Sequence, residues 1–262
     1  MNKKELTTLK KWFFDYSGSF NTPNIEDQRN FTIKRDHTHE VCLNAVQIAK
    51  DLSLDANQTL LAEAIALFHD VGRFPQYRQY KTFDDSISVN HAALSAKVLL
   101  ENNVLSGLKR RDQEIIVRAV TLHNVFSLPE GIDSEILLFS RLIRDADKLD
   151  ILRIVIEYFQ QEPGSRADAV ALGLPDEPGY SPEVLACVSS AKMALKSMLM
   201  TQNDFKLLQL TWLYDLNFAG ALRMVVKRNY IPAIADLLPR NNDIARAVDD
   251  VRGYVDRRLK AE

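Results

Sequence analysis

Apolar residues recur every three to four positions along most of this chain, and runs that alternate apolar with polar residues between turns are hard to find. That spacing predicts an almost entirely helical fold. Helices are expected at roughly 3–15, 24–51, 56–70, 88–103, 110–125, 134–160, 181–200, 203–228, 231–238 and 241–259. Start signals support several of them. Asp55 precedes ANQTLLAEAIALF, Asp133 precedes SEILLFSRLI, and Ser181-Pro182 puts a proline where the first helical turn tolerates one.

The pattern breaks at residues 161–180, QEPGSRADAVALGLPDEPGY, which is rich in Pro, Gly and acidic side chains. The expected organisation is a helical domain over 1–160, a linker or lid over 161–180, and a C-terminal helical extension over 181–262 packed on the first part. A chain of 262 residues suits one large domain or a domain with such an extension.

Composition narrows the class but not the function. Hydrophobic residues make up 46% and charged ones 26%, the balance of a folded globular protein. With 33 Lys and Arg against 35 Asp and Glu, a net charge of -2 gives no global attraction to nucleic acid or anionic membranes. An anionic substrate must be drawn in by a local site. No apolar run approaches a membrane span, the N-terminal residues do not resemble a secretory signal, and Cys42 and Cys187 fall in helical runs. A cytoplasmic location is expected.

Candidate chemistry begins at His69-Asp70, which closes the apolar run LLAEAIALF. Burying an imidazole and a carboxylate there is costly unless something charged or hydrogen-bonding compensates. A divalent metal is one such compensator; local capping of backbone groups is the plainer alternative. Helical periodicity then selects other inward-facing polar residues. His37 aligns with Val41, Ala45 and Ile48; His91 with Leu94, Ser95 and Val98; His123 with Ile116, Ala119 and Val120; and Asp147 lies between Ile143 and Ile151. His39 should face outward, and Asp145 and Asp150 fit the Asp147 stripe less well. The nitrogen and oxygen donors suit Mn, Fe, Co, Ni, Zn or partly hydrated Mg, and the lack of thiolates argues against a structural zinc knot.

His37, then His69-Asp70, then Asp147 within RDADKLD resembles the H…HD…D signature of the HD-domain superfamily of metal-dependent phosphohydrolases. The resemblance covers roughly residues 25–160 and extends to DHTHEVCLNAVQIA around the first ligand and to HDVGRFPQY, which resembles the metal-binding helix end and its loop. It implies an all-α HD-domain helical bundle with additional C-terminal helices. It also implies one or two divalent metal ions held by His37, His69, Asp70 and Asp147. His91 and His123 are similar in order to the extra histidines of two-metal members, where Asp70 would bridge. They also suit a hydrogen-bonding role beside the metal. In such enzymes the metal lowers the pKa of a bound water and polarises a phosphoryl oxygen. Asp70 would then be catalytic, and Arg73 and Lys148 are placed either to neutralise a phosphate or to be solvated.

The function implied is metal-dependent hydrolysis of a small phosphorylated or nucleotide-like substrate. A di-iron oxygenase of the inositol-oxygenase-like type shares the ligand order His, His-Asp, His, His, Asp and is the alternative; a non-catalytic helical module is the third. Neither the Glu-Asp of the alarmone hydrolases nor the GYP triplet of the cyclic-di-GMP phosphodiesterases stands at its expected place. The polar residues of LTWLYDLNFAGAL, Trp212, Asp215 and Asn217, either reach the substrate pocket or satisfy one another across a helix pair, and the second is expected.

Overall fold

The computed structural model describes residues 1–162 and 170–261, and among these there are helices and turns but no strand. Helices α1 (Lys3–Gly18), α2 (Ile25–Asp51), α3 (Ala56–Phe68), α4 (Arg73–Tyr80), α5 (His91–Glu101), α6 (Arg110–Leu122) and α7 (Ser134–Gln160) come first. They are followed by α8 (Pro182–Ser189), α9 (Gln202–Thr211), α10 (Ala219–Lys227), α11 (Tyr230–Ala235) and α12 (Asn242–Lys260). The chain divides into two compact units, Met1–Asp150 and Ile151–Glu262, the division falling inside α7. No helix is long and apolar enough to cross a membrane among the described residues.

In the first unit, side-chain caps start several of the helices, where orphan backbone N–H groups need acceptors. Asn24 caps α2 and Asn90 caps α5, while Asp55 and Gln58 form a reciprocal capping box on α3. Asp133 Oδ1 accepts from the N–H groups of Glu135 and Ile136 at the start of α7. The first two turns of α3 lead into a run, Ala64 to Phe68, that is buried on every side, which places α3 at the centre of this unit.

Helix α4 departs from the expectation that HDVGRFPQY is a helix end followed by a loop. Pro75 is the third residue of α4, and in a first turn its missing N–H costs no hydrogen bond. Phe74 and Tyr77 supply the buried face. Phe74 meets Phe13, Phe20 and Phe31 at ring centroid distances of 6.0, 5.6 and 6.1 Å, an aromatic cluster that seats α4 against α1 and α2.

The second unit corrects two further expectations. The helix expected over 181–200 stops at Ser189, because Ala191 adopts a left-handed φ of 53° and Lys192 N–H turns back to the Cys187 carbonyl. The helix expected over 203–228 breaks into α9 and α10. The chain tightens into a 3-10 turn at Trp212–Asp215 and becomes extended at Leu216 and Phe218, with Asn217 Nδ2 donating to the Asp215 carbonyl at 3.3 Å. Of the expected linker or lid, residues 163–169 lie outside the described residues. Its later part is tied to the start of α9: Gln202 donates to the carbonyls of Leu174 and Pro175, and Asn203 to those of Glu177 and Gly179. Asp204 collects N–H and O–H donors from Ser181, Met200 and Thr201, which together hold its carboxyl below the ordinary range against the opposing effect of burial.

Helices α4 and α5 meet at Gly72. A Cβ built there would lie 2.5 Å from Ser95 N and 2.6 Å from the His91 carbonyl oxygen, both backbone atoms that cannot rotate away. Gly72→Ala is therefore expected to destabilise by about 2 kcal/mol through overpacking. Gly107→Ala, where an added Cβ meets nothing within 4 Å, should leave the denaturant midpoint nearly unchanged. Equal midpoints for the two variants would contradict this close approach.

Candidate metal centre

Five helices of the first unit each deliver one part of a polar cluster into an apolar interior. His37 lies midway along α2, and His69 and Asp70 follow the last turn of α3. His91 opens α5, His123 caps the end of α6, and Asp147 lies midway along α7. His37, His69, Asp70, His91 and His123 are buried, whereas Asp147 is 16% exposed and marks the open side. His39 is exposed, as its position on α2 predicts.

The registers that bring these side chains together are locked by hydrogen bonds. Asn44, two turns beyond His37, donates to the Ala146 carbonyl at 3.1 Å and fixes α2 against α7. Ser95 Oγ accepts from Gly72 N and donates to the His69 carbonyl, both at 2.8 Å, and so clasps the His-Asp turn to α5. The guanidinium of Arg144 donates to the carbonyls of His123, Val125 and Phe126, holding the turn after α6.

Each imidazole has its Nδ1 engaged. His69 Nδ1 is 2.7 Å from the Ala66 carbonyl and His123 Nδ1 is 2.7 Å from the Val120 carbonyl, so both nitrogens must carry the proton. His37 Nδ1 lies 2.7 Å from Asp150 Oδ2, and His91 Nδ1 lies 2.6 Å from Asp85 Oδ2. Protonation at Nδ1 leaves a lone pair on every Nε2 of a neutral ring. These lone pairs converge: His37 and His69 Nε2 are 3.2 Å apart, and His91 and His123 Nε2 are 2.9 Å apart. Two acceptors facing at such distances need a proton or a metal cation between them.

Asp70 stands between the two pairs. Its Oδ2 faces His37 and His69 at 3.5 and 3.8 Å, while its Oδ1 faces His91 and His123 at 3.4 and 3.9 Å. Two groups that could hold an ion result, His37-His69-Asp70 and Asp70-His91-His123. Asp147 Oδ1 adds a donor 3.1 Å from His37 Nε2 and 3.6 Å from His69 Nε2. The His and Asp donors therefore fit divalent metal ions, and the imidazole-carboxylate mixture suits a catalytic rather than a structural site.

The two pairs differ electrostatically. Burial and Lys34 disfavour a charge on His37, but hydrogen bonds and charges from Asp147 and Asp150 outweigh them and raise its pKa to about 9. In the other pair burial dominates: His123 is pushed down to about 3 by burial and by His91 and His69, and His91 is lowered by burial and Arg73. Burial works against the charge of Asp70, yet Lys34, His69, Arg73 and His91 together hold its carboxyl well below the usual range.

Of the residues expected to meet a phosphate, Arg73 opens α4 with Nε 3.4 Å from Asp70 Oδ1. Its Nη1 donates to Gln76 Oε1, the Phe83 carbonyl and Asp85 Oδ1 at 2.8, 2.6 and 2.9 Å. Lys148 is half-buried on α7 beside Asp147. Other members of the cluster escaped the sequence reading. Lys34 donates from Nζ to Asp70 Oδ2 at 2.8 Å, and Asn124 Nδ2 donates to Asp85 Oδ2 at 3.2 Å. Asp150, which fits the apolar stripe of α7 less well than Asp147, supports His37 through Nδ1. One signal was available for two of them: Lys34 and Asp150 lie three residues from His37 and Asp147, on the same helix faces.

Since His37 holds a proton below about pH 9 in the ion-free site, a divalent ion must displace that proton. Affinity for Mn is expected to rise about tenfold per pH unit from neutrality and to level near pH 9. Asp150→Asn should weaken binding by roughly 10- to 100-fold and shift the rise to lower pH, because His37 loses a charged neighbour. Calorimetric titrations across pH read both effects, and a flat profile in the unaltered protein would contradict the assignment.

Residues 35–152 match the family model for the HD domain, a segment that contains all six candidate ligands. No curated protein and no solved structure matches the chain. The match and the His/Asp cluster agree on an HD-type site within residues 35–152, and members of that family are generally metal-dependent phosphohydrolases.

Proposed function

We propose that this protein hydrolyses a phosphoester or nucleotide at a two-ion centre. His37, His69, Asp70 and Asp147 hold one ion and Asp70, His91 and His123 the other. The observation that carries this reading is Asp70, which turns one carboxylate oxygen to each histidine pair. Bound divalent ions would supply Lewis acidity toward a phosphoryl oxygen and lower the pKa of a water molecule.

The chain's own residues have separable tasks. The carbonyls of Ala66 and Val120 and the carboxylates of Asp150 and Asp85 keep the proton on Nδ1 of each ring, so that Nε2 remains a donor. Arg73 braces Asp85 and so orients His91. Lys148, beside Asp147, is a charge partner for the phosphate. The partial exposure of Asp147 supports an approach from that side for a small phosphorylated substrate.

The test is an assay of purified protein loaded with Mn or Fe on phosphomonoesters, nucleotides and cyclic dinucleotides. Metal-dependent turnover is expected, falling at least about 100-fold in Asp70→Ala. Absence of turnover on every substrate class, together with no effect of Asp70→Ala, would overturn the reading. Oxygen consumption by the iron form, with a mixed-valent spectroscopic signature, would favour the di-iron oxygenase that the same six ligands also suit.

A further inference from the structure

Lys34 sets its side-chain ammonium against the carboxylate at the heart of the site, and it lies one residue before the matched HD segment. It projects from α2 one turn ahead of His37, on the same helix face. Its Nζ is 2.8 Å from Asp70 Oδ2, the oxygen that faces His37 and His69. The side chain is 15% exposed whereas Asp70 is 4% exposed, so it reaches inward from the rim. Its ammonium also lies 5.0 Å from the centroid of the Phe83 ring, in the segment between α4 and α5.

Two facts of charge set the consequence. A carboxylate buried beside Asp147 needs a positive neighbour, and in the ion-free site Lys34 provides one. A divalent ion seated on the same Oδ2 would face that ammonium as a like charge at close range, in a site with little water to screen it. Lysine can answer by moving, because its charge sits on a flexible four-carbon stem, and a compact ammonium is a suitable partner for phosphate. Arg73 lacks that freedom while its Nη1 serves Gln76, Phe83 and Asp85.

We propose that Lys34 exchanges partners, serving as the counterion of Asp70 in the ion-free site and as the ligand of the substrate's phosphate group once a divalent ion occupies Asp70 Oδ2. The inference rests on the phosphohydrolase reading above. It makes Lys34 a competitor of the metal and a contributor to anion binding, two effects that a purely structural ion pair would not combine.

The experiment compares the unaltered protein with Lys34→Met and Lys34→Arg by calorimetry, first with Mn alone and then with inorganic phosphate added to the Mn-loaded protein. Thermal melting checks the fold, and Lys34→Gln carries the same comparison if the methionine variant melts early. Lys34→Met is expected to bind Mn about tenfold more tightly and phosphate about tenfold more weakly, the size of one charge-assisted hydrogen bond. Lys34→Arg, which keeps the charge, should retain most of the phosphate affinity. Unchanged or weakened Mn binding in Lys34→Met overturns the proposal, and so does unchanged phosphate binding. If the unaltered loaded protein binds no phosphate, the phosphohydrolase reading falls and takes this proposal with it; if it binds phosphate and Lys34→Met binds it equally well, only the proposal falls.

Discussion

Four imidazoles whose Nδ1 atoms are already engaged cannot, as neutral rings, satisfy one another through Nε2, and the rest of this site follows from that constraint. A neutral ring protonated at Nδ1 offers only a lone pair at Nε2. Bringing two such lone pairs to 2.9 Å in the His91-His123 pair, and to 3.2 Å in the His37-His69 pair, is repulsive unless positive charge lies nearby. The fold accepts this cost and even enforces it. Gly72 admits α5 to backbone contact, Asn44 fixes α2 on α7, and Ser95 clasps the His-Asp turn. Rigid scaffolding around groups that repel is how a protein stores an affinity for a cation.

The two halves of the site balance their charges differently. Around His37 and His69, the carboxylates of Asp147 and Asp150 favour a proton on His37, and Lys34 lies on the oxygen of Asp70 that faces this pair. Around His91 and His123, burial keeps the rings neutral, with Asp85 as the nearest support on the far side of His91. Asp85 is in turn held by Arg73, Gln76 and Asn124, so the second pair depends on the segment between α4 and α5. The centre is thus asymmetric, with one pocket rich in charge and the other built from neutral donors.

Much of this was legible in the sequence because helices translate spacing into direction. His37, His91, His123 and Asp147 could each be placed on an apolar stripe, and the structure brings all four to His69 and Asp70. The all-helical fold followed from the same periodicity. What escaped had physical reasons. Helix α4 was hidden by Gly72 and Pro75, residues that punctuate a pattern without ending a helix when one precedes it and the other sits in its first turn. The break at Leu216–Phe218 had no such marker, since its flanks are as apolar as a continuous helix. The segment TFDDSISVNH around Asp85 reads equally as pocket lining or as a turn, because so short an irregular stretch has no period; its approach to His91 in three dimensions decides between them. Lys34 reads first as a surface charge, since an ammonium on a helix is usually solvated, and Asp150 falls less well than Asp147 on the apolar stripe of α7.

The account stands most directly on how many ions the protein holds and which atoms hold them. Anomalous diffraction from crystals of the Mn-loaded protein, paired with elemental analysis in solution, measures both. Two ions per chain are predicted, one against Asp70 Oδ2 with His37, His69 and Asp147, the other against Asp70 Oδ1 with His91 and His123. A protein that stays free of divalent ions at neutral and alkaline pH, or that binds them away from Asp70, would contradict it.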